Sequence, residues 1–463
     1  MTERTFDAIV LGAGPAGEVA AGRLADGGLS VAVVEPHLVG GECSFYACMP
    51  SKALLRPGEL LAEARRVPGV AAAVAGDVDA AAVLARRDEV VHDLDDSAQL
   101  PWLEDKGIEL LRGEGRIEGE RRVRVGDMRL TAERAVVVAT GSAPALPPID
   151  GLREAKPWTN REGTTAKAVP ARLAVLGGGV AGVELAQAWQ SLGASVTIVE
   201  RSDRLLEREE PFAGEQVADS LRALGVEVRL AAAVTAVRAA DTRSGTGGGV
   251  AVEIDGEAPV EADELLVAAG RRPRTDDVGL DSVGLEPGGS IAVDDRMRAS
   301  GVDGDWLYAV GDVNGRALLT HMGKYQARAA ADTILGKDSV VRADGPASPR
   351  VIFTDPQVAA VGHTFASARE AGLDVRAVDV GTEANAGGSF VGRDAPGTCR
   401  IVVDEDRRTI VGATFTGVEV AEALHAATIA VVGEVPLDRL WHAVPSFPTR
   451  SELWLNLLEE YGL

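Results

Sequence analysis

The sequence predicts an α/β protein made of two parallel-sheet units of one design, followed by an α+β domain. Three observations predict it. A strand, glycine turn, helix and second strand ending in an acid occurs twice, over residues 7–35 and again over 172–200. The chain has 463 residues, more than one hydrophobic core usually serves. Beyond about Ser348 the apolar runs alternate and no further turn of this kind occurs.

The first copy opens with the apolar run Asp7 to Leu11, turns at Gly12-Ala13-Gly14-Pro15-Ala16-Gly17, and continues as a helical stretch from Glu18 to Asp26. A second strand, Ser30 to Val34, ends at Glu35. The second copy has the strand Leu173 to Leu176, the turn Gly177-Gly178-Gly179-Val180-Ala181-Gly182, the helix Val183 to Leu192, and the strand Ser195 to Val199 ending at Glu200. In such a unit the first glycine permits the sharp turn and the second lets the backbone approach a pyrophosphate. The third lets helix and strand pack closely, and the acid accepts hydrogen bonds from ribose hydroxyls. Unpaired N–H groups at the helix start favour phosphate charge. One such glycine turn is weak evidence; two in full context predict two Rossmann-like dinucleotide-binding domains.

Other strands end in glycine turns as well. Ala135 to Ala139 leads to Thr140-Gly141-Ser142, Glu264 to Ala269 to Gly270-Arg271-Arg272-Pro273, and Trp306 to Val310 to Gly311-Asp312. In the last part, β-like runs at Val351 to Thr354, Arg400 to Val403 and Thr409 to Phe415 precede a helix-rich tail.

Composition narrows the function. A net charge of −23 with no basic stripe argues against a nucleic-acid partner. No apolar stretch of about 20 residues is present, so no membrane span is expected. The charged residues leading to Asp7 are not a signal-peptide core, and three cysteines do not make a disulfide framework. The expected location is cytoplasmic.

Two of those cysteines lie close together in Gly41-Glu42-Cys43-Ser44-Phe45-Tyr46-Ala47-Cys48-Met49-Pro50-Ser51-Lys52. Residues five apart on a regular helix point to different sides, so a Cys43–Cys48 bridge requires a bent loop, and strained bridges are easily reduced. A helix start with Lys52 nearby favours a thiolate. Two structural thiols or half a metal site are the competing readings. The metal site has no support from the remote Cys399, which lies in an apolar strand as a core thiol. A redox-active pair is the reading adopted.

In order along essentially the whole chain, these motifs resemble the pyridine nucleotide-disulfide oxidoreductases, the flavoprotein group of dihydrolipoamide dehydrogenase, glutathione reductase and mercuric reductase. The resemblance rests on the turn at Gly12, Gly14 and Gly17, the Cys-x4-Cys-x-Pro-Ser-Lys segment, Ala139-Thr140-Gly141, and the second turn followed by Glu184. Gly270-Arg271-Arg272-Pro273 and Ala309-Val310-Gly311-Asp312 complete it. It implies FAD and NAD as cofactors, with NADP possible, and cofactor contacts from Gly12, Gly14, Pro15, Ala16, Gly17, Glu35, Gly41, Lys52, Ala139, Thr140 and Gly141. From the second half it implies contacts from Gly177, Gly179, Val180, Gly182, Glu200, Gly270, Arg271, Gly311 and Asp312. Glu35 would hold the FAD ribose, Asp312 the ribityl chain, and Lys52 with Glu184 the region where flavin meets nicotinamide. Cys48 would be the flavin-side thiol and Cys43 the one that exchanges with substrate. Residues 1–149 with 271–345 would bind FAD, 150–270 the nicotinamide cofactor, and 346–463 would form the α+β dimerisation domain of a homodimer.

One departure from the group is chemical. Its C-terminal His-Pro-Thr-x-x-Glu pattern reads Phe447-Pro448-Thr449-Arg450-Ser451-Glu452 here, and a phenyl ring neither takes nor gives a proton. Proline, threonine and the catalytic-position Glu452 fit. His442 lies five residues upstream, and the chain ends at Leu463 without the terminal cysteine pair of mercuric reductases. Phe45 and Tyr46 are bulky for the cysteine loop and suit core packing or stacking on a flat acceptor. Glu200 favours NAD over NADP by repelling a 2′-phosphate, against Arg201 and Arg204. The expected activity is NAD(P)H:disulfide oxidoreduction on a small thiol or disulfide, with a quinone or other non-disulfide acceptor as the alternative.

Overall fold

A computed structural model describes residues 2–240 and 249–463. Two compact units emerge from the packing. The first comprises Met1–Pro50, Asp88–Ala145 and Arg271–Gly345; the second comprises Ser51–Arg87, Leu146–Gly270 and Pro346–Leu463.

The first unit is built on a sheet ordered Glu109–Leu111, Val31–Val34, Thr2–Leu11, Met128–Val138, Arg122–Val125, Gly115–Ile117. Its first four strands are parallel, and Leu307–Ala309 pairs parallel to Met128–Val138. The apolar runs are continuous because both faces are covered. Ala8, Val10, Val31 and Val33 face one core, while Ile9, Leu11, Ala32 and Val34 face another. The first strand starts at Thr2, earlier than its apolar run, because Thr2 to Phe6 pair with Met128 to Ala132. Against one face, the helix Pro15–Asp26 packs beside the helix Thr320–Ile334. Gly311 and Gly323 allow this approach: a Cβ on Gly311 would lie 3.2 Å from the Ala16 Cβ.

The second unit carries a four-stranded parallel sheet ordered Glu227–Arg229, Ser195–Val199, Arg172–Leu176, Glu264–Val267, and an antiparallel trio, Val234–Ala240, Gly249–Ile254 and Val260–Ala262. Its C-terminal part is a five-stranded antiparallel sheet ordered Arg350–Ile352, Gln357–Gly362, Thr409–Gly417, Thr398–Asp404, Val375–Gly381. The helices Val420–Val432 and Leu453–Tyr461 cover that sheet through Leu424, Ala427, Leu457 and Tyr461. Ile352 and Val358 join the core formed by Leu173, Val175, Val183 and Trp189, so the two sheets of this unit share buried surface.

Candidate active site

In the first unit the Gly12–Gly17 turn has the shape that a bound pyrophosphate needs. Gly12 has φ +104°, and a Cβ there would meet the Ala139 carbonyl oxygen at 2.4 Å. A Cβ on Gly17 would lie 1.9 Å from the Gly12 oxygen, whereas one on Gly14 would meet nothing within 4 Å. Two glycines therefore close the strand–helix contact and the third leaves space at the helix start. Pro15 occupies the first helical position, where its missing N–H costs no hydrogen bond. The buried Glu35 accepts from the Ala13 and His37 N–H groups, both at 2.8 Å, at the edge of this turn. A Cβ on Gly41 would touch the Gly14 Cα at 2.8 Å, so Gly41 belongs to the same wall.

Ala139-Thr140-Gly141 runs alongside. Thr140 donates to the Arg274 carbonyl at 2.7 Å, and Ser142 Oγ donates to Asp312 Oδ2 at 2.5 Å. Arg271 donates through Nε to Ser142 Oγ at 2.6 Å, and its Nη2 lies 3.8 Å from Glu42. Arg274 Nη2 donates to Glu42 at 3.2 Å. Asp312 and Arg271 are thus brought to one polar cluster, and Ser142, Arg274 and Glu42 are members that sequence reasoning missed. The Gly311 N–H donates to Gln326 Oε1 at 2.9 Å, which fixes the turn before Asp312.

The cysteines sit on either side of a break. The helix Gly41–Phe45 ends at Tyr46, and the next helix begins at Cys48. That break supplies the bend which a regular helix lacks. Both sulfurs are half-buried thiols. Cys43 is held strongly protonated, first by hydrogen bonding to Cys48, then by burial; Thr320 and Lys324 pull the other way. Thr320 Oγ1 lies 3.4 Å from Cys48 Sγ. No feature of the sequence marks Thr320, which is remote from the cysteines along the chain. Phe45 is buried in contact with Tyr46, at a ring separation of 6.4 Å, so Phe45 is packing rather than an exposed platform.

The second unit repeats the turn. A Cβ on Gly182 would lie 1.9 Å from the Gly177 oxygen, one on Gly177 2.7 Å from the Ala268 oxygen, and one on Gly179 would meet nothing within 4 Å. Val180 starts the helix and remains exposed beside that open position. Glu200 accepts from the Gly178 N–H at 2.6 Å and the Ser202 N–H at 2.7 Å. Arg204 is turned away to the Glu207 carbonyl, 2.8 Å distant. Both turns fit a dinucleotide, with FAD and NAD(P) the groups whose ribose and pyrophosphate match this donor and acceptor set. Gly270 has φ +130° and open space around it.

Within the same unit Lys52 Nζ and Glu184 Oε2 form an ion pair at 2.7 Å. Glu184 is almost completely buried, and its other oxygen accepts from the Phe353 N–H at 2.9 Å. The Lys52 ammonium also lies 4.8 Å from the Phe353 ring centre. Lys52 is thus tied to a buried acid.

Phe447 is 76% exposed, and His442 is exposed too. Glu452 keeps one buried carboxylate oxygen that has no hydrogen-bond partner among the described residues. Cys399 is fully buried, 3.7 Å from Thr382 Oγ1, and burial pushes its thiol up to about 12. Among the described residues no cluster of metal-ligating side chains occurs, and no helix is long and apolar enough to cross a membrane.

Residues 6–333 match the family model of pyridine nucleotide-disulphide oxidoreductases, and residues 348–457 match that family's dimerisation domain. The mercuric reductase of Lysinibacillus sphaericus is 30% identical over 98% of this chain and 82% of its own length. The dihydrolipoyl dehydrogenase of Chlamydia muridarum is 31% identical over 97% of this chain and 95% of its own. Among solved structures, the HOCl-induced flavoprotein disulfide reductase RclA from Escherichia coli superposes with a TM-score of 0.84. It shows 26% identity and covers 98% of this chain and 99% of that one. Two nucleotide turns, a cysteine pair across a helix break and matches over nearly the whole length lead to one conclusion: this chain belongs to the pyridine nucleotide-disulphide oxidoreductase family, FAD-dependent enzymes that couple NAD(P)H to disulfide chemistry.

Proposed function

We propose that this enzyme exchanges electrons between NADH and a small thiol or disulfide through Cys43 and Cys48, with Cys43 meeting the substrate. The observation that carries the reading is the placement of the pair: Cys43 and Cys48 stand on either side of a helix break, both free and half-buried, with the Thr320 hydroxyl 3.4 Å from the Cys48 sulfur. FAD, when bound, supplies the two-electron link between nicotinamide and these sulfurs. Gly12, Gly14 and Gly17 admit its pyrophosphate, Glu35 its ribose, and Asp312, fixed by Ser142, its ribityl chain. Gly177, Gly179, Gly182 and Glu200 do the same for the nicotinamide dinucleotide, and the carboxylate of Glu200 disfavours a 2′-phosphate. Lys52 and Glu184 serve the nicotinamide side as a preformed pair.

On this reading residues 1–149 with 271–345 bind FAD, 150–270 bind NAD, and 346–463 join two copies into a homodimer in the cytoplasm. The test uses Cys43→Ser holoenzyme with NADH against hydroxyethyl disulfide, lipoamide and menadione. Disulfide turnover should fall by about 1,000-fold or more, since the attacking sulfur is gone. Menadione reduction, which needs no thiol, should persist. Undiminished disulfide turnover would overturn the assignment.

A further inference from the structure

Cys43 rides on a helix too short to hold itself. Gly41–Phe45 is five residues long, and its cap, Gly40, stands at φ +111° with no side-chain bond to the helix start. A helix of this length is unstable alone, since nucleation costs more than its few hydrogen bonds return. Its two ends are anchored: the Gly40 N–H donates to the Ala13 carbonyl at 2.8 Å, and Phe45 is buried. Between them, on the residue before Cys43, stands the helix's only charged side chain, Glu42.

Glu42 is met by two arginines that share a second anchor. Arg271–Pro273 pairs antiparallel with Ser142–Pro144. Arg271 donates from Nη2 and Arg274 from Nε to the Ser142 carbonyl, at 2.9 and 3.0 Å. Arg274 Nη2 then donates to Glu42 Oε1 at 3.2 Å, and Arg271 Nη2 lies 3.8 Å from Glu42 Oε2. Arg272, between them, is bound to Asp276 instead. Arg271 Nε also donates to the Ser142 hydroxyl, which donates to Asp312, so one run of contacts links Asp312 to the helix of Cys43. The Glu42 side chain is 20% exposed and that of Arg271 26%, which spares this contact much of the screening that weakens a surface ion pair. The main chain of Arg274 is held independently. Its N–H donates to the Gly141 carbonyl at 3.0 Å, and its carbonyl accepts from Thr140 Oγ1 at 2.7 Å.

We propose that Glu42 and Arg274 are positioning residues that clamp the helix of Cys43 to the wall carrying Asp312, and so fix the exchanging sulfur for its reaction. The clamp rests on the reading of Cys43 and Cys48 as the redox pair. Arg274 acts through Glu42, and Glu42 through the peptide unit it shares with Cys43, so neither touches the reacting atoms. Thiol–disulfide exchange needs the attacking sulfur aligned with the bond it breaks, and a misplacement of about 1 Å costs up to about 100-fold in rate. Alanine at 42 and methionine at 274 remove the side-chain contact and leave the main-chain bonds of both segments in place.

The experiment compares wild type, Glu42→Ala, Arg274→Met and the double variant as flavin-loaded enzymes with NADH, against hydroxyethyl disulfide and menadione. Reduction of the disulfide uses Cys43 and that of menadione does not, so the ratio of their kcat/KM values isolates the thiol step. That ratio should fall by about 10–100-fold in each single variant. It should fall no further in the double variant, because the same contact is lost whichever partner is changed. Additive losses, or a wild-type ratio in either single variant, would overturn the clamp. A second readout needs no flavin. The Tyr46 N–H, which donates to the Glu42 carbonyl at 2.8 Å, should exchange with deuterium about tenfold faster in the reduced apoprotein of either single variant, and no faster in the double. Unchanged exchange would overturn the clamp as well, and this measurement decides alone if a variant fails to hold flavin. Cys43→Ser separates the two readings. Disulfide turnover lost there, beside a wild-type ratio in Glu42→Ala, sinks the clamp alone; turnover retained there sinks the redox pair and the clamp with it.

Discussion

Gly14 and Gly17 lie three residues apart in one turn, and the structure assigns them opposite consequences on substitution by alanine. At Gly17 the new Cβ would sit 1.9 Å from the Gly12 carbonyl oxygen. An ordinary carbon–oxygen contact is about 3.3 Å, so the helix Pro15–Asp26 would have to retreat by about 1.4 Å. Overpacking of this kind costs about 1–3 kcal/mol, and alanine's better helix propensity returns about 1 kcal/mol at most. At Gly14 the backbone is extended, with φ −73° and ψ 177°, which alanine adopts without strain, and the Cβ meets no protein atom within 4 Å. Gly14→Ala should therefore leave the apoprotein as stable as wild type, or about 0.4–1 kcal/mol more stable through the unfolded chain. Its Cβ instead occupies space reserved for the pyrophosphate, and FAD should bind at least about tenfold more weakly, about 1.4 kcal/mol. Urea unfolding with and without saturating FAD separates the two effects. Gly17→Ala should be destabilised in both conditions, and Gly14→Ala should lose only the FAD-dependent gain. A Gly14→Ala protein with wild-type FAD affinity and lowered apoprotein stability would refute the reasoning.

Three further outcomes are expected. Glu200→Ser removes the carboxylate held by the Gly178 and Ser202 N–H groups, so the NADPH-to-NADH ratio of kcat/KM should rise by about tenfold, measured by steady-state kinetics. Cys399, buried with its thiol pushed up to about 12, should resist iodoacetamide at pH 8 in the native protein and react once urea unfolds it, read by mass spectrometry. Glu18 binds its proton more tightly in the folded than in the unfolded protein, so stability should fall as pH rises from about 4.5 to about 7. The fall should reach about 3 kcal/mol at most and be absent in Glu18→Gln; parallel unfolding curves across that window would contradict it.

Much of the architecture was legible because its signals are local. The Gly12 and Gly177 turns, Glu35 and Glu200 lie in contiguous runs whose spacing is imposed by phosphate and ribose geometry. Strand limits were less legible: Thr2 to Phe6 carry little apolar pattern and become a strand by pairing with Met128 to Ala132. The resemblance set Lys52 with Glu184, but only packing decides that the Phe353 N–H and ring complete that pair.

From the sequence by itself came the two nucleotide turns, the cysteine pair and the missing histidine at Phe447, since each is a matter of residue identity within a short span. Tertiary structure alone decided which groups surround the sulfurs. Thr320 reaches the Cys48 sulfur from a helix remote in the chain, and that helix packs beside Pro15–Asp26 where Gly311 and Gly323 carry no side chain. Proton affinity depends on such neighbours and on burial, and neither has a signature along the chain.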